Sequence, residues 1–179
     1  MMQQQINICY FQSPFGEILL GSFNNQLCIA DWRCRKMRKQ IDQRIQTALN
    51  AIYAAKEDAV LEETKKQLTQ YFKQERTTFD IPLLLVGTDF QKSVWNALME
   101  IPFGKTETYL GLSKKLENEK AIRAVAAANG ANAISIIIPC HRIIGSNGDL
   151  IGYAGGLTTK MKLLELENPT FNQQMKLIF

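Results

Sequence analysis

The sequence predicts an α/β domain at residues 1–86, built on a small antiparallel sheet with helices, followed by a mainly α-helical domain at residues 87–179. Two observations carry this prediction. Short apolar runs separated by turn residues occupy the first third of the chain, whereas helical periodicity dominates after Gly87. An extended segment around Pro82 lies between the two patterns, so we place the domain boundary at residue 86.

The first domain shows strand patterns followed by helix patterns. Residues 6–11, 18–23 and 27–32 have strand character, and turn signals separate them, which predicts a three-stranded meander. A helical spacing of apolar residues follows and predicts one amphipathic helix; its members are Ile41, Ile45, Leu49 and Ile52. A second predicted helix carries an apolar face made of Leu61, Leu68, Tyr71 and Phe72.

The second domain contains a helix pair with a helix-turn-helix pattern. A helix with Thr88 as its N-cap is predicted to run through Glu100. Residues 108–116 and about 120–129 then form two short helical segments joined by a tight turn. From Ala121 to Asn129 the second segment is rich in alanine, with Arg123 as its one long cation, so it suits either tight core packing or close approach to a DNA groove. A last helix is predicted at about residues 158–167.

Composition narrows the class of protein. The longest apolar runs are far shorter than the roughly 20 residues of a membrane span, and the N-terminus lacks a secretory signal pattern, so we expect a cytoplasmic protein without a membrane partner. The four cysteines form no CxxC pair and are expected to be free thiols. With a single histidine, His141, we expect no zinc site, no other metal and no cofactor.

A dense basic run spans residues 33–39 in a chain whose net charge is +4. Such runs are most often exposed, solvated faces, so we interpret this one as a loop and helix start. Contact with a DNA backbone is the alternative.

The most informative segment is the apolar run at residues 134–138, which has strand character and ends at Pro139. A thiol, an imidazole and a guanidinium follow at Cys140, His141 and Arg142. Because successive side chains of a strand point to opposite faces, Cys140 and His141 would need a bridging water and a carboxylate partner to act together. From spacing alone, Cys140 is a buried strand cysteine, a hydrolase nucleophile or an alkyl-group acceptor.

A glycine-rich segment at residues 152–156 follows an Asn147-Gly148 turn. Such a loop lets backbone groups approach a ligand without intervening side chains.

Pro139-Cys140-His141-Arg142 resembles the active-site signature of the O6-alkylguanine-DNA alkyltransferases, also called methylated-DNA–protein-cysteine methyltransferases. The resemblance covers the whole chain, is strongest from Gly87 to Glu167, and is closest to the bacterial constitutive form. It implies a ribonuclease H-like first domain and a helix-turn-helix in the second. It also implies single-turnover, irreversible transfer of an alkyl group from O6-methylguanine, and from O4-methylthymine, to a cysteine.

The resemblance implies catalytic roles for five residues. Cys140 resembles the acceptor thiol, His141 the base that acts through water, and Glu167 the carboxylate that orients it. Tyr109 resembles the residue that protonates guanine N3, and Asn132 the asparagine that supports the active-site turn.

Further positions are implied in DNA binding and in the substrate pocket. Arg123 resembles the arginine that fills the gap left by a flipped nucleotide. The other implied DNA contacts are Ala124, Ala127, Ala128 and Arg142. The implied pocket residues are Ile143, Tyr153, Ala154, Gly155 and Lys160. Ala154 departs from the family pattern, in which some members have a serine there.

The implied partner is double-stranded DNA containing O6-alkylguanine, bound by a monomer. The main alternative is a non-catalytic lesion-binding protein of the alkyltransferase-like kind, against which Cys140 argues because those proteins lack the acceptor cysteine. A cysteine hydrolase is a more distant alternative.

Overall fold

The computed structural model describes residues 4–171. The N-terminal residues 1–3 and most of the tail after Asn168, for which the sequence predicted no role, lie outside the described residues. The chain divides into two units, Met1–Thr88 and Asp89–Phe179, and the predicted boundary at residue 86 falls just before this division.

The first unit is built on a four-stranded mixed sheet. Its strands are β1 (Gln4–Ser13), β2 (Gly16–Phe23), β3 (Gln26–Trp32) and β4 (Ala51–Ala55), in the order β3-β2-β1-β4. The first three form the predicted antiparallel meander, whereas β4 pairs parallel to β1. The predicted small antiparallel sheet is confirmed for these three strands, and β4 adds a parallel edge strand that was not predicted.

Strand β4 was not predicted because the preceding helix was expected to extend too far along the chain. Helix α1 (Arg38–Leu49) ends at Asn50, which adopts the left-handed conformation at φ 46° and closes the helix. Ile52, predicted as the last apolar position of that helix, lies in β4 instead. Its spacing from Leu49 satisfied the helical period by coincidence, and asparagine was the one local sign of the helix end.

A second helix, α2 (Ala59–Phe72), covers the sheet with Leu61, Leu68 and Tyr71, all of which are fully buried. Asp58 caps its first turn, because its Oδ1 accepts a hydrogen bond from Leu61 N at 3.0 Å.

The extended segment near Pro82 runs along the free side of β3, where Leu27 N donates to Pro82 O at 2.8 Å. This pairing protects an otherwise exposed strand edge.

The basic run at residues 33–39 has mainly a structural role. Arg35 and Arg38 each place Nη1 2.8 Å from Oδ2 of Asp31, whose side chain is fully buried. Arg33 pairs with Glu17. Only the lysines of the run, Lys36 and Lys39, are exposed and cationic without an ion pair among residues 4–171. Arg35 is therefore buried, whereas the sequence predicted an exposed, solvated run.

The second unit is mainly helical. Its helices are α3 (Asp89–Met99), α4 (Tyr109–Lys115), α5 (Ile122–Gly130) and α6 (Leu157–Glu167), and a single 3-10 turn, Glu119–Ala121, joins α4 to α5. Two short strands, β5 (Glu107–Thr108) and β6 (Ile143–Ile144), pair in parallel. Helix α5 packs against both α3 and α4, and Trp95 Nε1 donates to Ala128 O at 2.8 Å across the α3–α5 contact. No helix within residues 4–171 is long and apolar enough to cross a membrane.

Candidate active site

The apolar run before Cys140 forms tight turns, so the strand predicted at residues 134–138 is wrong. Ile137 N donates to Ser135 O at 2.9 Å, and Ile138 N donates to Ile134 O at 3.0 Å. A run of β-branched residues ordinarily favours a strand. Here a side chain outside the run, that of Asn132, takes up the backbone groups that a partner strand would otherwise satisfy.

Asn132 is the centre of this turn. Its Oδ1 accepts from Ile134 N at 2.9 Å, and its Nδ2 lies 3.3 Å from Ile134 O and 3.0 Å from Ile138 O. The same Nδ2 lies 3.2 Å from Cys140 Sγ. The residue is almost fully buried, so these bonds are shielded from water. One amide group therefore ties the backbone of the turn to the thiol.

Cys140, His141 and Arg142 form a single 3-10 turn after Pro139, and all three are buried. Three residues complete one such turn, so successive side chains diverge by roughly 120°. The strand geometry assumed for Cys140 and His141 is thus wrong, although a 3-10 turn separates neighbouring side chains as well.

His141 pairs with Glu167, the last residue of α6. Nε2 of His141 lies 2.7 Å from Oε1 of Glu167, and both side chains are fully buried. Nδ1 of His141 is buried and has no hydrogen-bond partner within residues 4–171. The carboxylate therefore fixes one ring nitrogen and leaves the other available.

Arg142 belongs to the same buried cluster. Its Nε lies 2.8 Å from Oε2 of Glu167 and its Nη2 lies 3.0 Å from Oε1, while Nη1 donates to Ile101 O at 2.5 Å. Its guanidinium also lies over the Phe103 ring. The Arg142 side chain is 7 % exposed and makes two hydrogen bonds to Glu167, so it cannot reach a phosphate. The expected assignment of Arg142 to the DNA-contacting residues is therefore corrected.

Burial and the ion pairs set the charges of this cluster. Burial raises the pKa of Glu167, but His141 and Arg142 outweigh it, so the pKa of this carboxyl lies well below its usual range. Burial is the largest influence on His141 and lowers its pKa, with smaller contributions in the same direction from Arg142 and Lys160; Glu167 opposes them. The cluster therefore holds an ionised carboxylate, a guanidinium and a neutral imidazole at neutral pH.

Sequence reasoning missed the backbone contacts to Glu167. Gly104 N donates to Oε2 of Glu167 at 3.1 Å, and Gly104 has φ +73°, a conformation that favours glycine. A Cβ on Gly104 would lie 2.9 Å from the backbone oxygen of Glu167. The Pro102-Phe103-Gly104 sequence signalled a turn but not its partner 63 residues later.

Tyr109 is the first residue of α4, and Thr108 caps that helix by accepting from Gly111 N at 2.9 Å. Burial raises the pKa of Tyr109, the thiol of Cys140 raises it further, and a hydrogen bond with Asn129 opposes the rise. The phenol therefore keeps its proton at neutral pH. Asn129 was not predicted, and its buried Oδ1 has no partner within the described part of the chain.

Lys160 lies on α6 and is fully buried. Its Nζ donates to Ile151 O at 2.7 Å and lies 3.4 Å from Gly152 O, so it holds the start of the glycine-rich loop. Burial lowers the pKa of Lys160 to about 8, and the Cys140 thiol opposes this shift.

Of the other expected pocket residues, Tyr153 contacts the cluster. The Tyr153 ring meets the His141 ring edge-on, with centroids 6.3 Å apart. Ala154 and Gly155 follow it in the loop and are half-buried. Ile143 is fully buried in β6, which leaves only its backbone for contact with a ligand.

Helix α5 divides into an exposed and a buried face. Arg123, Ala124 and Ala127 are exposed, as a DNA-contacting surface requires. Ala128 is 2 % exposed and its carbonyl accepts from Trp95, so its inclusion in the expected DNA contacts is corrected.

The site thus combines a buried thiol, an imidazole paired with a buried carboxylate, and a phenol whose pKa is raised by burial. Two domain profiles match the chain: "6-O-methylguanine DNA methyltransferase, ribonuclease-like domain" over residues 8–85, and "6-O-methylguanine DNA methyltransferase, DNA binding domain" over residues 89–169. The chain is 45% identical over 157 residues to a methylated-DNA–protein-cysteine methyltransferase of Methanosarcina acetivorans, covering 88% of this chain and 95% of that protein.

Solved structures of O6-methylguanine methyltransferases also resemble this chain. The crystal structure of Mycobacterium tuberculosis O6-methylguanine methyltransferase matches with a TM-score of 0.77 at 35% identity, covering 92% of this chain and 93% of the other. The crystal structure of M. tuberculosis OGT in complex with DNA matches with a TM-score of 0.77 at 36% identity and the same coverage. This chain belongs to the methylated-DNA–protein-cysteine methyltransferase family.

Proposed function

We propose that this protein repairs alkylated DNA by transferring the methyl group of O6-methylguanine, and of O4-methylthymine, irreversibly to Cys140. The observation that carries the proposal is the buried cluster of Cys140, His141 and Glu167. The side-chain amide of Asn132 contacts the thiol of this cluster. A carboxylate that fixes one ring nitrogen of an imidazole makes the other nitrogen a base, as in catalytic triads. The available Nδ1 of His141 supports this role.

The proposed reaction is a single displacement. His141 Nδ1 takes the thiol proton through a bridging water, and the resulting thiolate attacks the methyl carbon. The S–C bond forms as the C–O6 bond breaks, and the electron pair of that bond returns to the guanine ring system. Tyr109 donates its proton to guanine N3, so the base leaves neutral. The neutral phenol that burial maintains supports this donation.

The product explains why each molecule reacts once. A methylated cysteine is a thioether, and a thioether offers no comparable leaving group for regenerating the thiol. Lys160, Tyr153 and the backbone of Ala154 and Gly155 form the proposed pocket wall. Because Lys160 fixes the carbonyls of residues 151 and 152, it would hold this wall in place when the base enters.

We propose that α4 and α5 act as a helix-turn-helix that binds DNA through the exposed side of α5. Guanine O6 is paired inside a duplex, so the lesion must be flipped into the site. Arg123 would enter the gap, and the small side chains of Ala124 and Ala127 would allow close contact with the minor groove. For the first unit we propose a ribonuclease H-like arrangement, which the parallel pairing of β4 beside a three-stranded meander supports.

The test uses a duplex that carries one O6-methylguanine. Increasing amounts of protein are added to a fixed amount of duplex, and the remaining lesion is measured by nucleoside mass spectrometry. We expect one lesion to be converted to guanine per protein molecule, with no turnover beyond that ratio. Repeated turnover or an unchanged lesion would contradict the proposal.

A further inference from the structure

Ile136 has an unusual backbone conformation next to the reactive thiol. Its φ is +73°, and it is the one β-branched residue with positive φ among residues 4–171. Ile137 N donates to Ser135 O at 2.9 Å, which closes a three-residue turn centred on Ile136. Such a γ-turn with a left-handed central residue is rare and strained, and a β-branched side chain increases the strain.

The strained turn determines where the peptide of Ile138 lies. Ile138 N donates to Ile134 O at 3.0 Å, while Ile138 O accepts from Cys140 N at 2.8 Å. The same carbonyl accepts from Asn132 Nδ2 at 3.0 Å, and that amide lies 3.2 Å from Cys140 Sγ. A change of φ at Ile136 would move Ile138 and, with it, both bonds that orient Cys140.

Burial of the Ile136 side chain accounts for the persistence of the strain. The residue is 1 % exposed, so releasing the turn would cost the favourable burial of a whole isoleucine side chain. Glycine would adopt this φ without strain but would provide no side chain to hold the turn in place. The combination of burial and strain therefore selects one conformation.

We propose that Ile136 is a positioning residue for alkyl transfer, whose buried side chain holds a strained turn that directs Cys140 Sγ through Ile138 and Asn132. The kinetic part of this proposal rests on the proposed function. The strain itself is a property of the folded protein and can be measured without DNA.

The first measurement tests the strain. Ile136→Ala and Ile136→Gly are compared by urea unfolding, with Ile134→Ala and Ile134→Gly as the matched pair, because Ile134 is 3 % exposed in the same segment and lacks positive φ. At ordinary positions glycine is less stable than alanine. We expect that order at Ile134 and the opposite order at Ile136, where the glycine variant should unfold at the higher urea midpoint. If the alanine variant is the more stable one at both positions, the turn at Ile136 is not strained.

The second measurement tests positioning. Methyl transfer from a lesion duplex is followed at saturating DNA, and the duplex affinity is measured separately. We expect Ile136→Gly to slow transfer by about tenfold to a hundredfold, because small misplacements of reacting groups have effects of this size. Duplex affinity should stay nearly unchanged, and the conservative Ile136→Val should retain most of the rate.

Leu98→Ala is the control for general destabilisation, since Leu98 is fully buried in α3. It should lower stability without slowing transfer at saturation. If the wild type transfers methyl groups and Ile136→Gly is equally fast, or Leu98→Ala is equally slow, the positioning role is wrong. If the wild type transfers none, the proposed function itself fails, whatever the urea midpoints show.

Discussion

At the scale of single residues, Glu167 connects the buried side chains of His141 and Arg142. It accepts hydrogen bonds from Arg142 and Gly104 and pairs with His141. A buried ion pair contributes little by itself, but removing one partner leaves the other charge buried and unpaired. The structure therefore makes Glu167 important for folding as well as for orienting His141.

Glu167→Gln should lower the free energy of unfolding by about 3 kcal/mol, because Arg142 would lose its buried counter-charge. The comparison is Glu17→Gln, which removes the exposed ion pair with Arg33 and should lower the free energy of unfolding far less, because solvent screens that pair. Urea unfolding at neutral pH measures both. Equal effects of the two substitutions would show that the buried cluster does not behave as an ion pair.

The lowered pKa of Lys160 makes the stability of the folded protein depend on pH in the alkaline range. In the folded state its pKa is lowered to about 8, whereas an unfolded lysine titrates near 10.4. Between these values the unfolded chain binds more protons, so this residue makes stability rise with pH. Relative to Lys160→Met, the wild type should gain up to about 3 kcal/mol over this window, as measured by urea unfolding at several pH values. A constant difference between the two proteins would contradict the lowered pKa.

The sequence pointed to the candidate reactive residues more readily than to the residues that hold them in place. The adjacent Cys140 and His141 stand out in any reading of the chain, and family resemblance supplied Glu167, Tyr109 and Asn132. Gly104 and Ile136 carried no such signal. Gly104 lies in an ordinary turn motif, and Ile136 lies in a run that favours a strand, so their roles depend on contacts that local patterns do not encode.

At the scale of secondary structure, two predictions failed because a local pattern fitted two conformations. Ile52 continued the helical spacing of α1, yet Asn50 ends that helix and Ile52 enters β4. The isoleucines before Pro139 fitted a strand, yet Asn132 satisfies their backbone groups and they form turns. The three-stranded meander and the helices of the second unit were predicted correctly, because turn and helix-end residues mark where each run begins and ends.

Under the proposed function, lesion recognition depends on helix α5. Arg123→Ala should weaken productive binding to a duplex with O6-methylguanine by about tenfold or more, because no long cation would fill the gap left by the flipped base. Gel-shift titration and the rate of lesion loss at limiting protein measure this effect. Lys66→Ala is the matched control, since Lys66 is an exposed cation of the first unit. Equal effects of the two variants would indicate only a general loss of positive charge.

At the scale of the whole molecule, the four free cysteines differ in burial, and the proposed function assigns alkyl transfer to Cys140. Cys28 is buried and its pKa is raised to about 12, chiefly by burial, so its thiol is unreactive at neutral pH. Burial also raises the pKa of Cys9. Cys34 is exposed on the basic run, so a chemical alkylating agent should modify it first. Selective reaction at buried Cys140 would therefore require the lesion to be delivered into the site.

The most direct test of the central claim is the location of the transferred methyl group. The protein is incubated with a duplex containing O6-methylguanine, digested, and its cysteine peptides are analysed by mass spectrometry, with Cys140→Ser as the control. We expect one methyl group per molecule, found on the Cys140 peptide alone, and none on the control. A methyl group on Cys34, or no methylated cysteine peptide in the wild type, would contradict it.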